Sequence, residues 1–454
     1  MARKTSAAKA KSDKSTTAAA EAIAPVRPPN EWAEAMRQAC VVASQKTGNT
    51  GVFVSDNADR IAIGIPFPSF AQEWFYHNTG FVLGRVNLSV GESGSCKSAF
   101  LFEQMRHHLT VPNSAVKYNF TEARDTPTLR KSIIGEHLID GVIGPINCPS
   151  IEAWQDETTN VLKWLRDDYG KTKGPSSITF IGVDSMSGVT SQSTIDKIWE
   201  DGHASLQHPI DSNKINTYLK FLPSAVHDWP MSFVATNHVK FNIIPMPGGR
   251  TRREARIPGG DALKFHATTI LEFHNEGPIK REDCSGGNRI TLRMLKNSLG
   301  EKGKELQVDM LWWYIPTGAK GEDGREIKKQ HTIFDWHTAT CKLLAEHHAS
   351  GKSEVGDVCA VEYSPSGRTA KCPKLGIKSW KPASEVGRLI AEDYSLMQRL
   401  RDFYGIHPVT PYRPGVPWKT QLEDAEKAGH LRTVAEGAAV EEDEADTIQN
   451  DTSS

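Results

Sequence analysis

Eight consecutive residues, Gly91-Glu92-Ser93-Gly94-Ser95-Cys96-Lys97-Ser98, have the types and spacing to hold a polyphosphate. They follow a strand-like run, Val86-Asn87-Leu88-Ser89-Val90, and lead through Ala99 into a helical stretch reaching Met105. Between strand and helix, such a glycine-containing turn presents successive backbone N–H groups, and the helix N-terminus adds a positive dipole end. Gly91 through Ala99 are therefore candidate nucleotide-binding residues. Lys97 is placed to reach the β- and γ-phosphates, and the Ser98 hydroxyl to hold Mg2+. The phosphate-loop spacing is G-x-x-x-x-G-K-[ST], and Cys96 stands where its second glycine would be. An ordinary strand-to-helix turn is the competing reading.

Three further apolar runs end in polar residues. Ile178-Thr179-Phe180-Ile181-Gly182-Val183 stops at Asp184-Ser185, where a carboxylate would sit beside Mg2+ and its waters. A helix-capping Asp is the alternative. Val116 to Thr121 ends at Glu122, and a carboxylate on a neighbouring strand can act as general base toward an attacking water. Met231 to Thr236 ends at Asn237-His238, which could sense a terminal phosphate, although a lone histidine is more often structural. The stretch Val239 to Pro258 follows, with Arg250, Arg252, Arg253 and Arg256 beside Pro247-Gly248-Gly249. A flexible basic loop of this kind can track a phosphate backbone, while charge runs are commonly solvated surface. The pairs His107-His108 and His347-His348 lack companions at metal-ligand spacing and are expected on helix surfaces.

Only a sheet can bring these residues together. Strand patterns cover Val86–Val90, Val116–Thr121, Ile178–Asp184, Met231–Thr236, Thr268–Phe273, Arg289–Lys296 and Glu305–Tyr314. The first four are separated by long connections, as parallel crossovers require, and the later ones are closely spaced and expected to be antiparallel. An α/β class follows. With 454 residues, 38% hydrophobic and 24% charged, the chain has room for a large core and more than one domain. Residues 1–29 read as a disordered basic tail, 30–60 as a small helix-strand unit that needs a docking surface, and 61–315 as the core. Residues 316–430 read as a smaller C-terminal domain and 431–454 as an acidic tail.

A balance of 54 basic against 55 acidic residues excludes a globally basic nucleic-acid binder, though not a local basic surface. Seven scattered cysteines without a C-x-x-C spacing fit a reduced, intracellular chain. No apolar run approaches the ~18 residues of a membrane span, and no apolar stretch marks a secretory signal.

The order of these motifs resembles that of the RecA-like DNA recombinases. Gly259-Gly260-Asp261-Ala262-Leu263-Lys264-Phe265-His266-Ala267 is similar to the G-G-N-A-L-K-F-Y-A segment of bacterial RecA, and Gly84-Arg85-Val86 also fits the family. The phage UvsX type is nearest, because it accepts a non-glycine residue before the loop lysine and has Asn-His at the sensor position. The resemblance runs from roughly residue 30 to 314.

It implies a RecA-like P-loop ATPase core with a mostly parallel central sheet, an N-terminal docking unit and a smaller C-terminal domain. Lys97 and Ser98 would bind phosphate and Mg2+, Asp184 would support Mg2+, and Glu122 would activate water. His238 would relay the γ-phosphate state to the DNA loop that follows. Arg250, Arg252, Arg253, Arg256, Gly259 and Gly260 would contact DNA, with Gly188–Ser205 in the place of the second DNA loop. Asp125 lies where the family meets adenine, and Leu129 is nearest to the usual stacking position. Lys296 matches a lysine that reaches the neighbouring protomer's nucleotide. Ser298 departs from a second such lysine, for which Lys302 or Lys304 could compensate. The unit Asn30–Ser55 would dock on an adjacent protomer, giving an open helical filament.

The resemblance thus implies an ATP- and Mg2+-dependent recombinase, a DNA-dependent ATPase that coats single-stranded DNA and pairs it with homologous double-stranded DNA. A single-strand-binding protein and a loader would be partners, in the cytoplasm, or the host cytoplasm for a phage protein. Two other readings stay open: an ATP-binding mediator with little hydrolysis, suggested by Cys96 and Ser298, and a replicative-type helicase motor on the same core.

Overall fold

Apolar runs become strands buried on both faces, and such strands form the middle of the central sheet of the computed structural model. In chain order its strands are β3 (Arg85–Gly91), β4 (Ser114–Phe120), β5 (Val142–Asn147), β6 (Ile178–Asp184), β7 (Met231–His238) and β10 (Thr269–Ile279). Then come β11 (Gly286–Asn297), β12 (Glu305–Lys320) and β13 (Glu326–Phe334). The spatial order is β13-β12-β11-β10-β3-β7-β6-β4-β5. From β10 to β5 all neighbours are parallel, while β11, β12 and β13 add as antiparallel hairpins. This is the expected α/β class.

The structure describes residues 62–425 except 113, 123–126, 165–177, 203–207, 228, 246–250, 259–260, 321–323, 351–357 and 365–367. Of 144–146, 208–210, 227, 240–245, 251–256 and 261–262 only the backbone is described. The expected tails, residues 1–29 and 431–454, and the expected docking unit, residues 30–60, lie outside the described residues. Among those described, no helix is long and apolar enough to cross a membrane.

Alternate residues of each buried strand feed two cores. On one face Val116, Tyr118, Phe180 and Val234 pack against Phe102 and Met105 of α2 (Lys97–Leu109). On the other, Val86, Ile181 and Phe233 meet Trp154 of α4 (Ile151–Lys163) and Leu219 of α6 (His208–His227). Gly182 lets α2 close on the sheet, because a Cβ there would lie 2.5 Å from Met105 Cε.

Several details differ from the sequence expectation. β10 is parallel to β3, since α7 (Asp261–His266) precedes it and returns the chain to the same sheet edge. Val239–Pro258, expected as a flexible loop, contains an antiparallel ribbon of β8 (Lys240–Pro245) and β9 (Thr251–Arg256). β12 runs through position 315, where composition marks the end of the core, and pairs with β13 beyond it.

The C-terminal segment forms a three-stranded sheet of β14 (Glu362–Tyr363), β15 (Thr369–Cys372) and β16 (Ile377–Pro382). It packs with α8 (Trp336–Ala349), α9 (Ala383–Glu392) and α10 (Tyr394–Tyr404). Arg401 of α10 grips buried Glu73 of α1 (Phe70–Tyr76) through two bonds of 2.8 and 2.7 Å. A small sheet joins β17 (Thr410–Pro411) to β1 (Ile63–Pro66), which also pairs with β2 (Gly80–Val82).

Candidate nucleotide site

β3 ends at Gly91 and α2 begins at Lys97, so the intervening residues turn at the C-terminal edge of the sheet. Parallel strands all finish at that edge, which is why ligands of such folds bind there. Gly94 and Cys96 have left-handed backbones, with φ of 78° and 68°. A residue with a Cβ costs about 1–2 kcal/mol in that conformation. The loop thus keeps at Cys96 the turn that glycine would give. Lys97 Nζ donates to the carbonyls of Gly91 at 3.0 Å and Glu92 at 2.6 Å, and to Ser95 Oγ at 3.3 Å. Burial pushes its pKa below the usual lysine range, opposed chiefly by the charges of Asp184 and Glu122.

Two side chains missed in the sequence brace the loop from the β10–β11 hairpin. Asn275 Nδ2 donates to the Gly94 carbonyl at 3.0 Å, and Asn288 hydrogen-bonds the Cys96 thiol, whose pKa burial pushes up. Nothing short of the strand register would reveal them.

Asp184, at the end of β6, is buried and its pKa is raised above the usual carboxylate range by that burial. Thr236 Oγ1 donates to it at 2.5 Å, Tyr118 Oη at 3.4 Å, and the Ser98 hydroxyl also bonds it. The peptide between Asp184 and Ser185 is cis. Glu122 follows β4 and lies 2.5 Å from His238 Nε2 through Oε1, which also accepts from the Ser185 hydroxyl. The His238 contact, foremost, holds the Glu122 carboxyl down at about 2. Gly188 makes this close approach possible, because a Cβ there would lie 2.6 Å from Glu122 Cγ. Asn237 accepts from the His238 backbone N–H at 2.9 Å and donates to the Pro258 carbonyl at 2.8 Å. That bond ties the end of β7 to a residue two positions after β9.

A cleft of about 470 Å³ opens over these groups. Lys97, Ser98, Glu122, Asp184 and His238 line its polar side, and Phe120, Leu129 and Met310 its apolar side. The donor set fits a polyphosphate with Mg2+: a turn of N–H groups, a buried lysine, and a hydroxyl bonded to a carboxylate. The apolar side fits a planar base, with Phe120 and Met310 joining the expected Leu129. Among the described residues no group of three or more His, Cys, Asp or Glu side chains could hold a metal ion by itself.

Other expected site residues lie elsewhere. Lys296 Nζ donates to the carbonyls of Lys264 at 2.6 Å and Phe265 at 2.9 Å, at the end of α7. Through Ile270 it aligns with Leu88, three residues short of the Gly91 edge, or about 10 Å along a strand. It does not line its own chain's cleft. Lys304 is no substitute for a second free lysine: it donates to the Trp74 carbonyl at 2.8 Å and contacts His77. Arg252, Arg253 and Arg256 sit on β9, where only the backbone is described. Asp125, Arg250, Gly259 and Gly260 lie outside the described residues. Part of Gly188–Ser205 forms α5 (Gln192–Asp201), which buries no side chain.

The histidine expectation also changes. His108 is fully buried on α2, between the Gln104 carbonyl at 2.9 Å and Ser232 Oγ at 3.1 Å. His347 bonds Tyr404 Oη at 2.7 Å. Of the two, only His108 is hidden, its ring satisfied by an i−4 carbonyl and a distant hydroxyl; His347 is partly exposed and His348 exposed on α8, as expected of a helix surface.

No family model matches the chain. It is similar to the RecA protein of Campylobacter fetus, 26% identical over 160 residues, which are 35% of this chain and 41% of that protein. The RecA protein of Petrotoga mobilis is 27% identical over 158 residues, 35% of this chain and 38% of the relative. That of Campylobacter hominis is 28% identical over 136 residues, 30% and 37% of the two chains. The match thus spans about two fifths of the length of these curated relatives. With the mostly parallel sheet, this similarity makes the fold RecA-like.

Proposed function

We propose that this protein is a DNA-dependent ATPase of the recombinase kind. It assembles head-to-tail on single-stranded DNA, hydrolyses ATP with Mg2+, and promotes homologous pairing and strand exchange with double-stranded DNA. One observation supports this above others: Glu122, Asp184 and His238, from three parallel strand ends, meet Lys97 and Ser98 around one cleft.

Bound Mg2+ would neutralise charge on the phosphate oxygens. Lys97 holds phosphate charge, and Ser98 with Asp184 offers the metal's protein side. Glu122 remains ionised and takes the proton of the attacking water. His238 shares the Glu122 oxygen, so a change there passes to Asn237, Pro258 and the ribbon bearing Arg252, Arg253 and Arg256. These arginines, with Arg250, Gly259 and Gly260, form the DNA-contacting segment, and Asp125 contacts the base. Lys296 serves the cleft of the neighbouring protomer, which docks through residues 30–60. The Asn-His sensor and the non-glycine residue at Cys96 favour the phage UvsX type. A single-strand-binding protein and a loader complete the partner set, and a cytoplasm is the site of action.

The test is ATP turnover with and without single-stranded DNA for wild type, Lys97→Ala, Glu122→Gln and Lys296→Ala. Strong stimulation by DNA, lost in all three variants, is expected. General-base loss in Glu122→Gln should lower turnover about 10²–10⁴-fold while ATP still binds. ATP binding without turnover in wild type would sink the enzyme and favour the mediator, for which Ser298 in place of a lysine speaks. DNA-stimulated turnover indifferent to Lys296→Ala, with only rings on DNA in electron micrographs, would favour the helicase motor.

A further inference from the structure

Outside the nucleotide cleft, the C-terminal unit holds a pair of thiols in contact. Cys359 and Cys372 are both fully buried, and their sulfurs lie 3.6 Å apart. We propose that Cys359 and Cys372 form a reversible dithiol–disulfide site, which cross-links the end of β15 to the segment ahead of β14. Val361, Ala370, Ile377 and Leu400 belong to the apolar cluster around the pair. A disulfide requires the sulfurs to close from 3.6 Å to about 2.05 Å, a movement within reach of the two side chains. A third buried thiol in the cluster, Cys341, donates instead to the Ala383 carbonyl at 3.2 Å.

The pair is chemically unequal. Cys372 precedes the turn Pro373–Leu375, and the N–H groups of Leu375 and Lys374 point at its sulfur. The Cys359 thiol, foremost, and then these N–H groups favour the Cys372 thiolate and hold its pKa below the usual thiol range. Among the described residues no such N–H pair is directed at Cys359, and bonding to Cys372 with burial pushes its pKa up. The thiolate is the reactive species, so Cys372 is the attacking sulfur. Cys372 is itself fully buried, and the next two residues of the chain, Pro373 and Lys374, are exposed.

The oxidant required is a hydroperoxide, hydrogen peroxide being the smallest. The Cys372 thiolate attacks one peroxide oxygen, the O–O bond breaks, and hydroxide leaves to become water. The Cys359 sulfur then attacks the Cys372 sulfenic acid, and its proton departs with the second oxygen as water. Two thiols lose two electrons and two protons, and one peroxide becomes two waters. A small thiol reverses the step by exchange. The cross-link closes a span of 13 residues, which restricts the unfolded chain and braces the β15–β16 hairpin. That hairpin bears Arg368, Lys371, Lys374, Lys378 and Lys381 with no acidic residue among them.

The experiment treats the full chain with graded hydrogen peroxide, blocks free thiols under denaturing conditions, and maps the peptides by mass spectrometry. The expected product is a Cys359–Cys372 linked peptide, lost after dithiothreitol, with a melting temperature several degrees above that of the reduced protein. In Cys359→Ser, dimedone should capture a sulfenic acid at Cys372, and Cys341→Ser should cross-link as wild type does. Peroxide that oxidises Cys96 and Cys284 while Cys359 and Cys372 stay reduced would overturn the proposal. A linked peptide containing Cys341 would overturn it equally. The wild-type map decides the matter even if a variant fails to fold.

Discussion

At Cys96 the phosphate loop needs a left-handed backbone, and the side chain present opposes it. Replacing Cys96 by Gly removes about 1–2 kcal/mol of steric cost, partly offset by glycine's larger entropy loss of about 0.5–1 kcal/mol. Cys96→Gly should therefore raise the melting temperature slightly and leave nucleotide affinity within about twofold. Cys96→Val, with a branched Cβ in the same conformation, should lose stability and bind nucleotide more weakly. Thermal unfolding and nucleotide titration of the two variants check this, and equal behaviour would show that the angle is not what matters. At this scale the sequence is informative for Glu122, Asp184 and His238, because parallel strands deliver their ends to one edge. It is silent on Asn275, which reaches the Gly94 carbonyl from 181 residues away. Thr236 and Tyr118 are hidden for the same reason: only the register of β4, β6 and β7 sets them against Asp184.

The helix that starts at Lys97 carries its own acid sensitivity. Burial lowers the His108 pKa to about 3 and that of His107 to about 4, from an ordinary 6.5. In the folded protein both rings are neutral at pH 5, while the unfolded chain takes up protons below about pH 6.5. The unfolded state therefore binds more protons, and stability falls as pH drops through the window from 6.5 toward 3. Each ring contributes a slope of up to about 1.4 kcal/mol per pH unit. His108→Gln should be less stable than wild type at pH 7 and lose one ring's share of the slope. Urea midpoints from pH 7 to pH 4 measure it, and parallel curves for the two proteins would sink the argument. Element boundaries were legible where the apolar run is continuous, as in β6. They were not legible in β5, where Gly144 and Pro145 interrupt an edge strand, or in β13, where Lys328 and Lys329 face solvent. Both strands depend on neighbours already in the sheet, and a sequence window contains no such neighbour.

The sheet as a whole separates two groups that the proposed reaction needs together. Lys97 and Glu122 sit at the C-terminal edge of the parallel strands, and Lys296 lies three residues back along the sheet, held by the carbonyls of α7. Within one chain no small side-chain movement spans that distance, so Lys296 can act in phosphoryl transfer only on another copy. A site divided between copies makes a prediction that no single-variant assay can make. Lys97→Ala damages the cleft and leaves the donated lysine intact, whereas Lys296→Ala does the reverse. Each alone should be inactive in DNA-stimulated turnover. Mixed in equal amounts on DNA, about a quarter of head-to-tail interfaces pair an intact cleft with an intact Lys296. Activity should therefore return to about a quarter of wild type, and it should fall again when either variant is in large excess. Turnover that stays at the level of the separate variants, with mixed assemblies shown by co-purification of differently tagged chains, would place Lys296 outside the reaction. The ammonium would then be a cap for α7, where two carbonyls at a helix end already suit a cation.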